Sequence, residues 1–502
     1  MKTRFVILLF ITCFGMQVFS QTPTRMGPAP AAEIAKALVV VEANMDSLKA
    51  HQKYIYAMGM KNPLLLDQYD VWMKKYPNNV NIPLAIGTVY FKASMPQPKD
   101  FLLKAAAMDP KNAKIWSMLG SDAYMGSKYE LFTEYTEKAA SLEPSNAGYA
   151  YSYLMSFESS NPDTYEKKVF EFVKDFPEDQ RGAAAIYQLG LRAKNLDDKI
   201  HYFEVLRELY PPQKFEWSVS GTAKLADAYL ETNPEKALAL INEMGWEGDW
   251  KIRKELAESL IRIDKLDRDQ NYKEAIMSLD QVKLPRSSYL DDFIALKKAS
   301  LQAKSGDIKA AYDSLSVKFA KLPTDALYSA LESYGQKLGN DKGQVDKDIE
   351  MIRNSTAVTA YPFELGLYTG DEKLDLKSLR GKVVLLTFWF PGCAPCREEF
   401  PHFQTVVDSF KGDSVVYIGI NVIPAQDGYV LPFMKNTKYS FIPLRSTFAS
   451  AKQSFGVEGA PENFVIDKNG KIIFKDFRTN SSNHRTLELM ISSLLEKGPA
   501  KE

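Results

Sequence analysis

Prolines recur at an almost constant spacing through the first half of the chain. Pro77, Pro110, Pro144, Pro177 and Pro211 are 33, 34, 33 and 34 residues apart, and each follows an amphipathic stretch. Between them apolar residues return every three or four positions, which is the periodicity of helices buried on one face. Because proline cannot continue a helix and a period near 34 is typical of stacked helix-turn-helix units, the spacing predicts a helical solenoid.

One unit carries a sequence motif as well as the rhythm. Five residues of IWSMLGSDAYMGSKYELFTEYTEKAASLEP occupy positions at which the tetratricopeptide family has Trp, Leu, Gly, a small residue and Pro: Trp116, Leu119, Gly120, Ala139 and Pro144. The unit therefore resembles a tetratricopeptide repeat. The resemblance implies an all-α, tetratricopeptide-like solenoid over residues 31–350, with a concave side of the kind that binds peptides.

The periodicity changes after residue 350. RNSTAVTAYPFE is rich in Ser, Thr and Pro, so we predict a linker at residues 351–361. Beyond it KVVLLTFWF (382–390) and SVVYIGINV (414–422) are continuous apolar runs, as expected for buried central strands. NFVIDKNGKIIFKDF predicts a hairpin that turns at Asn469-Gly470. Together these segments predict an α/β domain over residues 362–499.

The first twenty residues have the features of a secretory signal peptide. Lys2 and Arg4 precede an apolar run from Phe5 to Phe19, which is shorter than the ~20 residues that span a bilayer. We therefore expect residues 1–20 to be removed from an exported protein that is not an integral membrane protein. A retained anchor and a lipidated Cys13 are the alternatives.

Charge and cysteine content exclude several functions. The chain has 63 Lys and Arg against 63 Asp and Glu, so no basic excess points to nucleic acid. Without Cys13, Cys393 and Cys396 are the remaining cysteines. A disulfide scaffold would need more of them, and a cysteine-based zinc site would need two more ligands nearby. The sequence therefore predicts a reactive pair, with no metal and no cofactor.

The pair lies between a predicted strand and a predicted helix. Unpaired N–H groups at a helix N terminus favour a thiolate at Cys393, which would attack a disulfide. Cys396 lies one turn further on and would resolve the mixed disulfide. Glu399 lies on the same helical face, and burial would raise the pKa of this carboxyl so that it could take the proton from Cys396.

The C-terminal segment also resembles a known family. Residues 362–495 contain FELGLYTGDEKLDLKSLRGKVVLLTFW, a Cys-x-Pro-Cys site, REEFP and GVEGAPENFVIDKNGKI. These segments resemble the thioredoxin-like exported reductases of the TlpA and ResA kind. The resemblance implies a thiol:disulfide oxidoreductase in which Glu399 assists catalysis and Pro461 forms a cis peptide bond. It also implies substrate contacts at Ala460, Pro461 and Trp389.

The resemblance also implies two partners, a client and an electron donor. The client would be a disulfide-bearing protein or peptide, and a membrane thiol electron donor would keep the pair reduced, most simply in a periplasm. Three positions depart from related sequences: Gly392 stands where most thioredoxins have Trp, Glu462 where the family usually has Thr, and Thr387 where thioredoxin itself has a buried Asp. Proton handling would therefore fall to Glu399.

Two other functions are compatible with parts of the sequence. A thiol peroxidase needs Thr or Ser three residues before its reactive cysteine, and Phe390 occupies that position before Cys393. A helical-repeat interaction protein would use its solenoid and keep only a minor redox role. The functions also combine, because a solenoid that holds a client would raise the concentration of its disulfide near Cys393.

Overall fold

The computed structural model describes residues 28–495 except 97, 159–160, 246, 287, 413 and 481–482. The signal peptide predicted at residues 1–20 lies outside this range. Helices fill the first part of the described chain: α1 (Ala31–Glu42), α2 (Leu48–Met58), α3 (Pro63–Lys75), α4 (Asn81–Lys92), α5 (Pro98–Met108), α6 (Ala113–Met125), α7 (Tyr129–Leu142), α8 (Ala147–Met155), α9 (Pro162–Asp175), α10 (Gln180–Arg192), α11 (Leu196–Leu209), α12 (Glu216–Thr232), α13 (Pro234–Met244), α14 (Asp249–Arg268), α15 (Tyr272–Asp280), α16 (Asp291–Lys304), α17 (Ile308–Lys321), α18 (Asp325–Lys337) and α19 (Lys342–Thr356).

The evenly spaced prolines end alternate helices. Each stands two residues beyond the end of α3, α5, α7, α9 or α11, where its ring prevents another turn. Successive helices pack closely: a Cβ added to Gly120 of α6 would lie 2.9 Å from the Thr136 side chain of α7. The prediction of a helical solenoid is confirmed, and we call α1–α19 the helical array.

Inside the array two charges are buried together. Arg253 of α14 donates from Nε and Nη2 to the two carboxylate oxygens of Asp227 in α12, at 2.8 and 3.0 Å. Both side chains are almost completely shielded from solvent. The fork of the guanidinium matches the carboxylate, so each charge is neutralised where it lies.

An α/β domain follows the array. Its elements are β1 (Val358–Thr359), β2 (Glu364–Gly366), β3 (Lys373–Asp375), a 3₁₀ turn (Leu376–Leu379), β4 (Val383–Trp389), α20 (Ala394–Ser409), β5 (Val415–Asn421), a second 3₁₀ turn (Pro424–Gln426), α21 (Asp427–Thr437), β6 (Ile442–Arg445), α22 (Phe448–Phe455), β7 (Glu462–Ile466), β8 (Lys471–Lys475) and α23 (His484–Leu494). The main sheet has the order β1-β8-β7-β4-β5-β6, and β2 pairs with β3 separately.

The sheet agrees with the apolar pattern of its strands. Every residue of β4 is buried, and β4 pairs in parallel with β5 and antiparallel with β7. The predicted hairpin forms between β7 and β8, where Gly470 takes a positive φ of 71°. The predicted fold class, an all-α solenoid followed by an α/β thioredoxin-like domain, is confirmed. Among the described helices, none combines the length and the apolar character needed to cross a bilayer.

The segment predicted as a linker is more regular than its composition indicates. Helix α19 continues to Thr356, and β1 joins the sheet two residues later. The hydroxyls of Ser355 and Thr356 donate back to the Ile352 carbonyl, which satisfies them within the helix. Arg353 is buried: its Nε donates to the Ala320 carbonyl, and its guanidinium lies 4.8 Å from the Phe474 ring centroid of β8. These contacts keep residues that favour loops in regular structure.

Candidate redox site

Cys393 lies between the central strand and the helix that follows it. Strand β4 ends at Trp389, and Cys393 is the residue that caps α20. It is joined by a disulfide to Cys396, with 5.3 Å between the two Cα atoms. The Cys396 N–H donates to Cys393 Sγ at 3.3 Å. When the pair is reduced, this N–H and the positive end of the helix favour a thiolate at Cys393.

Glu399 is buried one turn beyond Cys396 and is only 4% exposed. Its carboxyl accepts hydrogen bonds from the Thr479 N–H and from Nδ2 of Asn463, both at 2.9 Å. The nearest cation is Arg478, at 3.9 Å on a largely exposed side chain. Burial raises the pKa of Glu399 to about 7, although Arg478, Asn463 and Thr479 oppose the shift. The carboxyl can therefore both accept and release a proton near neutral pH.

Asn463 is a site residue that the sequence analysis missed. It lies in β7 directly opposite Thr387 of β4, and its Nδ2 also donates to the Phe477 carbonyl. Two buried oxygens here, Asn463 Oδ1 and Thr387 Oγ1, have no hydrogen-bond partner among the described residues. The available signal was a polar residue directly before the apolar run FVI.

Ala460 and Pro461 lie at the same end of the sheet as the cysteines. The peptide bond between them is cis. Glu462 follows Pro461 and pairs with Phe388, which places Pro461 beside the end of β4. Ala460 packs against the apolar cluster that contains both cysteines.

Trp389, which was predicted to contact the substrate, lies in the interior of the domain in this structure. Its side chain is fully buried, and its ring packs against Phe400, Phe433 and Phe441, with centroids 5.2, 4.8 and 5.2 Å away. The residue ends a strand that is buried along its whole length. Trp389 therefore belongs to the aromatic core beneath α20.

The helical array covers this site. Both cysteines are fully buried. Arg397, which directly follows Cys396, donates to the Tyr124 carbonyl at 2.7 Å, to Ser127 Oγ at 2.8 Å and to Tyr129 Oη at 3.0 Å. These partners lie about 270 positions earlier in the chain. No local pattern in the sequence indicated the contact.

The described residues contain no cluster of three or more His, Cys, Asp or Glu side chains that would hold a metal ion. The polar groups at the site are two sulfurs, the Glu399 carboxyl, the Asn463 amide, the Thr387 hydroxyl, two guanidinium groups and backbone N–H groups. A dithiol that exchanges with a disulfide carries two electrons by itself, so this set of groups is sufficient for thiol chemistry.

A sheet of this order, with a Cys-x-x-Cys pair capping the helix after its central strand, defines a thioredoxin-like redox domain. Residues 354–489 match the family model described as Redoxin. The C-terminal part of the chain is thus a Redoxin domain, and the match begins in the last turn of α19.

Two relatives that are named thiol-disulfide oxidoreductases agree with this class. The chain is 30% identical over 105 residues to the thiol-disulfide oxidoreductase ResA of Bacillus subtilis, covering 21% of this chain and 58% of that protein. It is 31% identical over 102 residues to ResA of Bacillus thuringiensis subsp. konkukian, covering 20% and 58%. The chain therefore spans just under three fifths of the length of these relatives. A thiol:disulfide interchange protein from Bacteroides sp. is 24% identical, with a TM-score of 0.25, over 29% of this chain and 93% of that one.

Proposed function

We propose that the protein is an exported thiol:disulfide oxidoreductase that reduces protein disulfides through Cys393 and Cys396. The observation that carries the proposal is the pair at the N terminus of α20 with the carboxyl of Glu399 buried one turn beyond it. The array would hold or position the client. The apolar leader of residues 1–20 supports export, and a membrane thiol donor in a periplasm would resupply electrons.

The reaction proceeds in two exchanges. The Cys393 thiolate attacks one sulfur of the client disulfide, forms a mixed disulfide and releases the other client sulfur as a thiolate, which takes up a proton. Cys396 then loses its proton to ionised Glu399 and attacks Cys393 Sγ. The second client sulfur leaves as a thiolate and takes the proton held by Glu399, which returns to its ionised form, and the Cys393–Cys396 disulfide remains; the first client thiolate takes its proton from solvent. Two electrons and two protons pass to the client.

The backbone beside Pro461 would orient the client. An extended chain that pairs with the backbone of Ala460 would bring its disulfide to Cys393, because both lie at the same end of the sheet. Recognition through backbone groups tolerates many client sequences, so selection would fall to surfaces further from the sulfurs.

The first measurement is the reduction potential of the Cys393–Cys396 couple in glutathione and dithiothreitol buffers. A value near that of thioredoxin, about −270 mV, supports a reductase, and a value near −120 mV would identify a protein that makes disulfides. Cys393→Ser should abolish insulin reduction, and Cys396→Ser should trap clients as mixed disulfides. Undiminished insulin reduction in Cys393→Ser would contradict the proposal.

A further inference from the structure

A short segment of the helical array lies against the start of α20. We call residues 122–129 the cover turn: it comprises the end of α6, the connection and the first residue of α7. Arg397 is its main contact, and this residue is only 7% exposed although it lies directly after Cys396. The guanidinium carbon is 3.9 Å from the centroid of the Tyr124 ring, in addition to its three hydrogen bonds to the turn.

Helix α21 holds the same turn from a second side. Tyr429 Oη donates to Asp122 Oδ1 at 2.7 Å, and Asn436 Nδ2 donates to the Gly126 carbonyl at 2.6 Å. The cover turn is therefore held along its length both by α21 and by the helix that carries the cysteines. A cluster of directed hydrogen bonds of this kind specifies one relative position of the two surfaces.

Met125 lies at the centre of the contact. A Cβ built on Gly392 would come within 3.0 Å of Met125 Sδ, so the thioether rests on the residue directly before Cys393. The absence of a side chain at Gly392 leaves the space that Met125 fills. Both cysteines are fully buried, so no extended chain can reach Cys393 in this arrangement.

An ion network links α10 of the array to α20. Arg192, at the end of α10, donates from Nη2 to Glu398 of α20 at 2.8 Å and to Glu158 of the array at 2.6 Å. Arg192 is thereby anchored in the array by one carboxylate and attached to the redox helix by the other. Glu398 is 40% exposed, so this link contributes modestly and can be broken without disturbing a core.

We propose that the cover turn is a gate that determines which disulfides reach Cys393, an inference that rests on the proposed exchange activity. In the closed arrangement Met125 excludes protein disulfides. A client disulfide reacts only after the cover turn has moved away from α20 and α21, and the apparent rate is reduced by the fraction of molecules that are closed. Selection therefore acts on the size of the disulfide-bearing group as well as on its chemistry.

Two variants separate the parts of the gate. Glu398→Gln combined with Asn436→Ala weakens the ion pair between α20 and Arg192, removes the hydrogen bond of α21 to Gly126 in the cover turn, and alters no cysteine. Met125→Ala shortens the side chain over Gly392 and leaves both of those contacts in place. Lys435→Ala, an exposed residue adjacent to Asn436 on the same helix, is the matched control.

The test measures alkylation of the reduced full-length protein, with iodoacetamide as the small reagent and a maleimide carrying a polyethylene glycol chain as the large one. The double variant should speed labelling of Cys393 by the large reagent about three- to tenfold, since two partly exposed polar contacts are lost. Met125→Ala should speed labelling by iodoacetamide more than labelling by the large reagent. Lys435→Ala should match the wild type with both reagents.

Equal labelling rates in the wild type and both gate variants would overturn the proposal. So would wild-type labelling by the large reagent as fast as in the protein unfolded in urea. Alkylation requires no disulfide exchange, so it tests the gate even if the protein fails to reduce insulin. If the protein does not reduce insulin but the variants are labelled faster as expected, only the proposed function is rejected. If the protein reduces insulin but the labelling rates are equal in the wild type and the gate variants, only the gate is rejected.

Discussion

The helical array and the α/β domain treat a buried carboxylate in opposite ways. In the array Asp227 receives both arms of the Arg253 guanidinium, and the two charges cancel in place. In the α/β domain Glu399 is equally shielded, but its hydrogen bonds come from an amide and a backbone N–H, and its nearest cation is 3.9 Å away. The first arrangement holds helices together, whereas the second keeps a proton exchangeable.

The difference has a thermodynamic consequence. The pKa of Glu399 is raised from 4.5 to about 7, so the folded domain disfavours the ionised carboxyl by about 3 kcal/mol at alkaline pH. Stability from this group is fully present below pH 4.5 and is lost as the pH rises through about 7. The domain tolerates this loss at a group whose proton the exchange reaction uses.

The largest expected effect comes from unpairing the charge in the array. Arg253→Ala leaves Asp227 buried without its partner, and we expect the free energy of unfolding to fall by about 3 to 5 kcal/mol. Urea unfolding followed by far-ultraviolet circular dichroism, which is dominated by the array helices, measures it. Lys304→Ala breaks a far more exposed pair with Asp267 and should cost less than about 1 kcal/mol. Equal losses of unfolding free energy in the two variants would show that the buried pair contributes no more to stability than the exposed pair.

At Glu399 we expect a smaller change in the free energy of unfolding, and an increase instead of a decrease. Glu399→Gln should stabilise the α/β domain by about 2 kcal/mol at pH 8 and have little effect near pH 4.5, because the neutral amide avoids the cost of a buried charge. The gain stays below the full 3 kcal/mol because the new amide group would face Nδ2 of Asn463. Hydrogen exchange of the β4 amides at the two pH values provides the measurement. A stabilisation that is the same at both would show that ionisation of Glu399 is not its source.

Replacing Asn463 should have a more limited effect, because it changes only the pKa of Glu399. Asn463→Ala removes a hydrogen bond that favours the ionised carboxyl, so the pKa of Glu399 should rise by about one unit. Resolution of a mixed disulfide depends on ionised Glu399, and its pH profile should therefore move from a midpoint near 7 toward 8. An unchanged midpoint with a lower rate at every pH would assign Asn463 a purely structural role.

The smallest effect on stability and on the pH profile is expected at Thr387. Thr387 faces Asn463, and its buried hydroxyl has no partner among the described residues. Thr387→Val keeps the shape and removes that hydroxyl, so we expect stability to be unchanged or slightly raised. Its pH profile should coincide with that of the wild type, which makes it the control for Asn463→Ala. A shifted profile would mean that the hydroxyl also influences the carboxyl.

Features set by neighbouring residues were predictable from the sequence. The proline spacing indicated where alternate helices end, and the apolar runs indicated β4 and β5. The spacing of Cys393, Cys396 and Glu399 along a helix indicated that they share one face. The packing of Trp389 in the aromatic core was not predictable, because the end of an apolar strand does not reveal which way a large ring points.

Contacts between distant parts of the chain were not predictable. Arg397 is a charged residue on a helix, and its local sequence is that of a solvated face. Its burial depends on a turn that lies about 270 residues earlier and is brought there by the stacking of many helices. Asn463 is an intermediate case, because its polarity was visible in the strand but its partner Glu399 was not.

The direct passage from α19 into β1 matters for anyone who wishes to isolate the redox domain. Val358 and Thr359 pair with Ile472 and Lys471 and so form the outermost strand beside β8. A shortened chain that starts at Phe363 would leave the backbone N–H and C=O groups of β8 open along that side. Open strand edges recruit other copies, so such a fragment would tend to aggregate, and one that begins ahead of Val358 would retain its own protection.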